Sequence, residues 1–347
     1  MVVFGSGTVN GVGEQVQRLG ASRVLLLSSP SGRAVGRMRQ ALRDLLVAEF
    51  AGAIPHTPVE VTERALRLVN EHAIDCLVAI GGGSTTGLAK ALAVRTELPQ
   101  VIVPTTYAGS EVTSVLGETE DGRKITRSGP QILPETVVYD VDLTLGLPVA
   151  VSVTSAVNAM AHAVEALYAP EVDPATEEKA LEAITLIARA LPVVAGSPTD
   201  AEARGDLLRA ARLAGTCLET VGMGLHHKLC HTLGGSFDMP HAATHTVVLP
   251  HVMAYNAPAV PEVMLRVAEA MGTDDAARGV HDLVVGVEGP TSLCDLGMAR
   301  SDLTRAAGLA TAKPYPNPRE PERQGVETLL VDAWQGRRPR PARLEER

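Results

Sequence analysis

The chain of 347 residues is poor in aromatic side chains and has no long apolar run. Aromatic residues make up 3% of it, so a hydrophobic core must be built mainly from Ala, Val and Leu. No apolar stretch reaches the roughly 18 residues that a membrane span requires. The first residues show no basic segment followed by an apolar one, so we expect no signal peptide. These absences predict a soluble protein without a membrane partner.

An excess of positive charge is also missing, because the formal net charge is -9. An acidic chain repels nucleic acid and anionic membranes, so we expect neither as a partner. One basic cluster stands out, formed by Arg337, Arg338, Arg340 and Arg343. Since prolines interrupt it close to the C-terminus, we interpret it as a solvated, frayed tail.

Cysteine is scarce and scattered. The four cysteines, Cys76, Cys217, Cys230 and Cys294, are far apart and form no C-x-x-C pair. This spacing argues against a disulfide framework. We therefore expect reduced thiols and a cytoplasmic protein.

The chain is long enough for two domains, because 347 residues exceed what one hydrophobic core usually serves. Residues 1–150 alternate short apolar runs with helical patterns, which predicts an α/β domain with a mainly parallel sheet. The predicted strands are Arg23–Ser29, Asp75–Ile80, Gln100–Val103 and Val137–Tyr139, and a helix is predicted over Gly32–Phe50. Residues 151–347 are rich in Ala and Leu at helical spacing, which predicts an all-helical second domain.

A glycine-rich loop, Gly81-Gly82-Gly83-Ser84, follows the predicted strand Asp75–Ile80 and opens a helix. Glycines let the backbone approach a ligand closely, and the amides at a helix start favour anions. The loop therefore predicts a pyrophosphate site, and the alternative is an ordinary tight turn between strand and helix. Gly5-Ser6-Gly7 is weaker, since a plain turn explains it as well as a cofactor contact.

Hydroxyl side chains follow the next predicted strand in Pro104-Thr105-Thr106-Tyr107-Ala108-Gly109-Ser110. This position lies at the carboxyl edge of a parallel sheet, where ligands collect. Thr105, Thr106 and Ser110 are candidates for binding ribose, phosphate or carboxamide. The alternative is that these side chains only cap a turn.

Histidines are concentrated in the second half of the chain. Asn158 and His162 are four residues apart in a helical segment and share a face. Five of the ten histidines then fall within twenty residues: His226, His227, His231, His241 and His245. Such a set predicts a metal site or a site for proton transfer and anion binding. The alternative is a set of independent histidines in the core and on the surface.

Together these motifs resemble the iron-containing, or group III, alcohol dehydrogenase family. That family combines a Gly-Gly-Gly-Ser loop, a Thr-Thr segment and an Asp-x-x-x-His…His…His metal set. The metal set falls here on Asn158, His162, His231 and His241 or His245. The resemblance is stronger to the maleylacetate reductase branch, in which Asn usually replaces the Asp. This resemblance extends over nearly the whole chain. The segments that show it are PTTYAGSEVT (Pro104–Thr113), NAMAHAVEALYAP (Asn158–Pro170), GLHHKLCHTLGG (Gly224–Gly235), PHAATHTVVLPH (Pro240–His251) and GPTSLCDLGM (Gly289–Met298).

The resemblance implies the dehydroquinate synthase-like fold of that family. Residues 1–150 would form a Rossmann-like NAD(P)-binding domain and residues 151–347 an all-helical substrate and catalytic domain. It also implies a homodimer that reduces the C=C bond of maleylacetate to 3-oxoadipate with NADH or NADPH. Because Asn158 is a neutral, weak ligand, we expect no metal, with Fe or Zn as the alternative.

The expected substrate is a small dicarboxylate, which needs positive charge in an acidic protein. Protonated histidines or Lys124 would supply it. The candidate catalytic residues are Asn158, His162, His231, His241, His245 and Lys124. The candidate cofactor-binding residues are Gly81, Gly82, Gly83, Ser84, Thr105, Thr106, Ser110 and Lys124.

Two departures from the branch are visible. The chain begins at VVFGSG, so a strand usual before this point is short or missing, and Lys313 and Pro316 stand where Asn and Trp are usual. Three rival functions stay open: a metal-dependent alcohol dehydrogenase, a lyase or synthase that holds NAD without net redox change, and a binding protein that kept the fold.

Overall fold

The computed structural model describes residues 1–121 and 123–340, with only the backbone described at positions 123 and 124. The chain forms two compact units that divide between Leu147 and Pro148.

The first unit contains a six-stranded sheet in the order β1-β8-β5-β4-β2-β3. Every neighbouring pair in it is parallel. The strands of this unit are β1 Val2–Gly5, β2 Val24–Ser28, β3 Leu46–Phe50, β4 Cys76–Gly81, β5 Gln100–Pro104, β6 Val115–Glu120, β7 Arg123–Ser128 and β8 Thr136–Asp140. Its helices are α1 Val12–Arg18, α2 Val35–Leu42, α3 Val59–Glu71 and α4 Gly83–Thr96.

The central strands are buried on both faces, which explains why their sequences are continuous apolar runs. One hydrophobic cluster packs α1 and α2 on one face, and a second packs α3 and α4 on the other. The predicted strands at Arg23–Ser29, Asp75–Ile80, Gln100–Val103 and Val137–Tyr139 are confirmed as β2, β4, β5 and β8.

The helix predicted over Gly32–Phe50 is wrong in its second half. Helix α2 ends at Leu42, and residues Leu46–Phe50 form the edge strand β3 beside β2. A short apolar run in a helical context cannot be assigned by periodicity alone, and the register against β2 decides it. The first strand is present, with four residues in β1 paired to β8. An antiparallel hairpin of β6 and β7 was not predicted.

All regular elements in the described part of the second unit are helices. They are α5 Val149–Leu167, α6 Pro174–Gly196, α7 Ala201–Thr220, α8 Leu225–Phe237, α9 His241–Asn256, α10 Pro261–Met271, α11 Ala276–Gly286, α12 Leu303–Ala310 and α13 Arg323–Trp334. Helix α5 is buried along nearly its whole length, because alanines on several sides let α6, α7 and α9 pack closely. The predicted fold class, a parallel α/β domain followed by an all-helical domain, is confirmed.

The basic cluster is solvated as expected, since Arg337, Arg338 and Arg340 are exposed, but it is not a free tail as far as Arg338. Arg337 pairs with Asp332, Arg338 pairs with Asp282, and the buried Pro339 accepts a hydrogen bond from Arg278 through its carbonyl oxygen. Opposite charges on α11 and α13 therefore hold this segment. Arg343 lies outside the described residues.

The described cysteines are all free thiols: Cys76, Cys217 and Cys230 are buried and Cys294 is exposed. Among the described residues, no helix combines the length and apolar character needed to cross a membrane.

Candidate active site

The glycine loop lies where β4 passes into α4. Gly81 ends the strand with φ 149°, and Gly82 precedes the first residue of the helix. A Cβ at Gly81 would lie 2.6 Å from the Thr85 Oγ1, and one at Gly82 would lie 2.9 Å from the Thr106 Oγ1. Packing therefore requires glycine at both positions.

The start of α4 is open to a ligand. The first amides of a helix have no carbonyl one turn earlier to bond, and no side chain of the described residues caps this end. Gly83 is exposed and Ser84 is partly exposed. This arrangement suits an anion such as a pyrophosphate.

The Thr-Thr segment lies beside this loop, because β5 is the neighbour of β4 and Pro104 is in register with Gly81. The Thr105 N–H donates to the Gly81 carbonyl at 2.8 Å, and the Thr105 side chain is buried. The Thr106 hydroxyl would lie 2.9 Å from a Cβ at Gly82, and the Ser110 hydroxyl would lie 3.9 Å from a Cβ at Gly83. The structure thus gathers the glycine loop, Thr106 and Ser110 at one edge of the sheet, while Thr105 acts mainly through its backbone.

Two other candidates of this unit have different outcomes. In the Gly5-Ser6-Gly7 turn, the Asp140 carboxylate accepts from the Gly7 and Val9 N–H groups, and Ser6 donates to Asp142. The alternative of an ordinary turn accounts for these contacts. The backbone of Lys124 pairs with Thr119 in the β6–β7 hairpin, but its side chain lies outside the described part, so its role stays a prediction.

The second unit gathers a cluster of six imidazoles from three helices. Helix α5 contributes His162, α8 contributes His226, His227 and His231, and α9 contributes His241 and His245. We call these six residues the histidine cluster. The ring centroids of neighbouring members are 4.4 to 6.5 Å apart. The structure therefore brings together the four predicted histidines, and Asn158 lies one turn before His162 on α5.

The cluster has a closed end and an open end. His226 and His245 are fully buried, His231 is half-buried and His241 is exposed. At the closed end, His226 Nε2 and His245 Nδ1 share a hydrogen bond of 2.9 Å, and Cys230 Sγ lies 3.7 Å from the same His226 atom. A substrate arriving from solvent would meet His231 and His241 first.

Burial controls the charge of the inner members. It lowers the pKa of His162, His226 and His245 well below the usual value, and the nearby rings lower each pKa further because two charged imidazoles would repel each other. These three rings are therefore neutral at pH 7. Protonated histidines were expected to supply positive charge, and this expectation is wrong for His162 and His245.

Glu165 was missed from the sequence, and His227 was part of the predicted histidine set but not among the candidate catalytic residues. His227 stacks against His162 at 5.0 Å, and its Nδ1 lies 2.7 Å from Glu165 Oε2 on α5. The same carboxylate accepts from backbone N–H groups of Gly224, His226 and His227. The available sequence signal was that Glu165 lies three residues after His162, on the same side of the helix.

Two family models cover most of the chain. Iron-containing alcohol dehydrogenase matches residues 1–141, and the C-terminal model of the Fe-containing alcohol dehydrogenase family matches residues 152–334. The chain belongs to the iron-containing alcohol dehydrogenase family. The predicted family is thereby confirmed, and membership makes the chain an oxidoreductase.

Two similar relatives within the family are both maleylacetate reductases. The chain is 56% identical to maleylacetate reductase 1 of Rhodococcus opacus, over 97% of this chain and 95% of the relative. It is 50% identical to maleylacetate reductase of Rhizobium sp. strain MTP-10005, over 97% and 96%.

Solved structures show the same fold. The maleylacetate reductase from Rhizobium sp. strain MTP-10005 superposes with a TM-score of 0.92, at 50% identity and 97% coverage of both chains. A 1,3-propanediol oxidoreductase superposes at 0.91, with 28% identity and coverage of 96% of this chain and 97% of that one.

The family name implies iron, and the donor atoms near the histidine cluster can be compared with the family's metal set. Asn158 offers a neutral amide where a carboxylate would be expected. Glu165, a carboxylate in contact with the cluster, already accepts from three backbone N–H groups and lies 2.7 Å from the His227 Nδ1. His226, Cys230 and His245 place ligand-type atoms within 4.8 Å of one another, but the two imidazoles are hydrogen-bonded to each other. Imidazole is a common ligand of iron and zinc, so the departure from the family's metal set is the neutral amide of Asn158.

Proposed function

We propose that this protein reduces the C=C bond of maleylacetate to give 3-oxoadipate, with NADH or NADPH as the hydride donor. The observation that carries the proposal is the 46–56% identity, over almost the full chain, to eight proteins named maleylacetate reductase. The histidine cluster with Asn158 in place of a carboxylate supports the same assignment.

The chemistry has two parts. Hydride from the reduced nicotinamide adds to the alkene carbon β to the ketone, which leaves an enolate. A proton then adds to the α carbon, so that one hydride and one proton convert the enone into the saturated ketone. The protein must stabilise the enolate oxygen and deliver the proton, and neither task requires a metal.

Each unit supplies part of this machinery in the proposal. The first unit binds the dinucleotide, with the pyrophosphate at the start of α4 and with Thr106 and Ser110 beside it. The second unit binds the dicarboxylate at the histidine cluster. The neutral rings of His162 and His245 act there as hydrogen-bond partners, and Asn158 adds an amide that carries both donors and acceptors.

The experiment follows the absorbance of reduced nicotinamide with maleylacetate, using protein stripped with a chelator and then reassayed with Zn²⁺ or Fe²⁺. We expect full turnover by the stripped protein. Turnover that returns only with metal would instead favour a metal-dependent alcohol dehydrogenase, which the likeness to 1,3-propanediol oxidoreductase keeps as the second candidate. Absence of turnover in every condition would contradict the proposal.

We propose further that NADPH is accepted alongside NADH. An acidic residue at the end of the second strand commonly binds the ribose 2′-hydroxyl and disfavours a 2′-phosphate. Strand β2 ends at Ser28 and is followed by Ser29, with Arg33 nearby. Competition between the two cofactors should show comparable use, and a strong preference for NADH would refute this.

We also propose a cytoplasmic homodimer. Four free thiols in the described chain suit a reducing compartment. Strand β1 is an edge of the sheet and exposes Val2 and Phe4, which offers an apolar surface to a second copy. Light scattering should give twice the mass of one chain, and a monomer would contradict the proposal.

A further inference from the structure

We propose that Glu165 is a positioning residue that fixes the proton of His227 on Nδ1 and directs the His227 Nε2 into the site. The inference rests on the proposed function, because it assigns His227 to the substrate site. It starts from one contact: the Glu165 Oε2 lies 2.7 Å from the His227 Nδ1, and both side chains are almost fully buried.

The partners of Glu165 decide the direction of this hydrogen bond. Its Oε1 accepts from the His226 N–H at 2.8 Å, and its Oε2 accepts from the Gly224 N–H at 3.1 Å and the His227 N–H at 3.4 Å. Three backbone groups that can only donate require an acceptor, so Glu165 serves here as a carboxylate. The His227 Nδ1 must then carry the proton that it donates.

The other nitrogen of the ring, Nε2, is consequently left available inside the site. The His227 Nε2 is buried and has no hydrogen-bond partner among the described residues. The rings of His162 and His245 each lie 5.0 Å from the His227 ring, so this atom belongs to the interior of the histidine cluster. A carboxylate behind one nitrogen orients an imidazole and sets its tautomer, which leaves the other nitrogen for a reacting molecule.

The backbone around this pair is built to hold it. Gly224 precedes α8, and a Cβ there would lie 3.1 Å from Glu165 Oε1 and 2.9 Å from Asn317 Oδ1. Asn317 accepts from the Leu225 N–H at 3.1 Å. Two side chains thus cap the same helix start, but of these two only Glu165 also bonds the His227 ring, which makes Asn317 a matched control.

The experiment compares Glu165→Gln, Asn317→Ala and His227→Gln, alone and with Glu165→Gln and His227→Gln combined. In Glu165→Gln the side-chain carbonyl can still accept from the backbone, but the new NH₂ group would reverse the hydrogen bond to the His227 Nδ1. We expect this variant to lower kcat by about 10- to 100-fold, the usual cost of losing an orienting carboxylate. The KM for NADH should stay unchanged, and Asn317→Ala should change kcat by less than about threefold.

The double variant gives the decisive comparison. If Glu165 acts through His227, the double variant should have the kcat of His227→Gln alone. Multiplied losses, or an equal loss in Asn317→Ala, would show that Glu165 only caps the helix and would overturn the proposal.

A spectroscopic measurement on the wild-type protein keeps the test independent of folding and of the substrate. Imidazole ¹⁵N shifts, assigned to His227 by comparison with His227→Gln, should show a protonated Nδ1 and a bare Nε2. The opposite tautomer would overturn the positioning role. A wild-type protein that shows the expected tautomer but does not turn over maleylacetate would contradict the proposed function instead.

Discussion

The histidines of the cluster differ in how deeply they are buried, and burial limits the role that each can take. His226 and His245 are buried and bonded to each other, so they are fixed and neutral. His241 begins α9 at the exposed end, where the protein interior meets solvent. His241 is therefore the member best placed to contact a substrate that arrives from solvent.

Replacing His241 with Ala should lower turnover of maleylacetate by more than about tenfold, the low end for losing a catalytic donor or acid. Binding of the nicotinamide cofactor, measured by fluorescence titration, should stay intact because the proposed dinucleotide site is in the first unit. His72→Ala, at an exposed histidine outside the cluster, serves as the control. Wild-type turnover in His241→Ala would remove His241 from the mechanism.

His251 lies outside the cluster and should make stability depend on pH. Burial lowers the pKa of His251 to about 4, with Asp332 opposing the shift and His281 adding to it. Because the folded pKa is below the usual 6.5, the unfolded chain takes up the proton first as the pH falls. The free energy of unfolding should therefore decrease between about pH 6.5 and pH 4, by up to about 3 kcal/mol from this residue.

Urea unfolding of wild type and His251→Leu across that pH range measures this contribution. The variant should lose less stability on acidification than the wild type, whatever its stability at neutral pH. Parallel pH profiles for the two proteins would show that His251 has no part in the acid sensitivity.

At the level of single residues, the sequence predicts which residues form the site better than it predicts their hydrogen bonds and pKa values. The spacing of His227, His231, His241 and His245 along two helical segments indicates convergence. The bond between Glu165 and His227 joins α5 to α8, 62 positions apart in the chain, and no local pattern reports it. The pKa shifts of the inner histidines likewise arise from burial, which only the packed structure defines.

Among the elements, the junction of β4 and α4 carries the most specific geometry of the first unit. Gly82 has a φ of -96°, which any residue can adopt, so the side chain of Thr106 is what excludes a larger residue there. Because Thr106 leaves no room for a side chain at position 82, the Thr-Thr segment requires glycine in the loop.

Gly82→Ala should therefore weaken cofactor binding. The new Cβ would lie 2.9 Å from the Thr106 Oγ1, so Thr106 must move away from the position in which it lines the loop. We expect the KM for NADH to rise by about tenfold or more, equivalent to about 1.4 kcal/mol. Steady-state kinetics at saturating maleylacetate measures it.

Gly36→Ala in α2 provides the matched control, because a Cβ at Gly36 has no heavy atom within 4 Å among the described residues. Its cofactor KM should equal that of the wild type. An unchanged KM in Gly82→Ala as well would show that the loop tolerates a side chain and does not approach the cofactor closely.

Strands that are buried on both faces were predictable from the sequence, whereas the edge strand β3 and the β6–β7 hairpin were not. Strands β2, β4, β5 and β8 are continuous apolar runs bounded by turn residues. Strand β3 lies at the sheet edge and follows a helix directly, so its five residues extend the helical pattern. The β6–β7 hairpin lies outside the six-stranded sheet and is largely polar, although the sequence Asp-Gly between two strands is a common hairpin signal.

For the whole molecule, the two compact units correspond closely to the two family models, which match residues 1–141 and 152–334. Scarce aromatic residues limit the volume of individual core side chains, and the second unit accommodates this with alanine-rich helices packed around α5. The fold is thus one that alcohol dehydrogenases also adopt, so fold alone does not decide which bond is reduced. In our proposal the side chains at the histidine cluster decide it.

In the proposed reaction hydride adds to the alkene carbon β to the ketone and not to the carbonyl carbon. The most direct test uses chelator-stripped protein, maleylacetate and NADH that carries deuterium at both C4 positions, with the product analysed by NMR. We predict 3-oxoadipate with deuterium on the methylene carbon next to the distal carboxylate, where exchange with water is slow. Deuterium on a carbinol carbon would show that the ketone is reduced and would contradict the account.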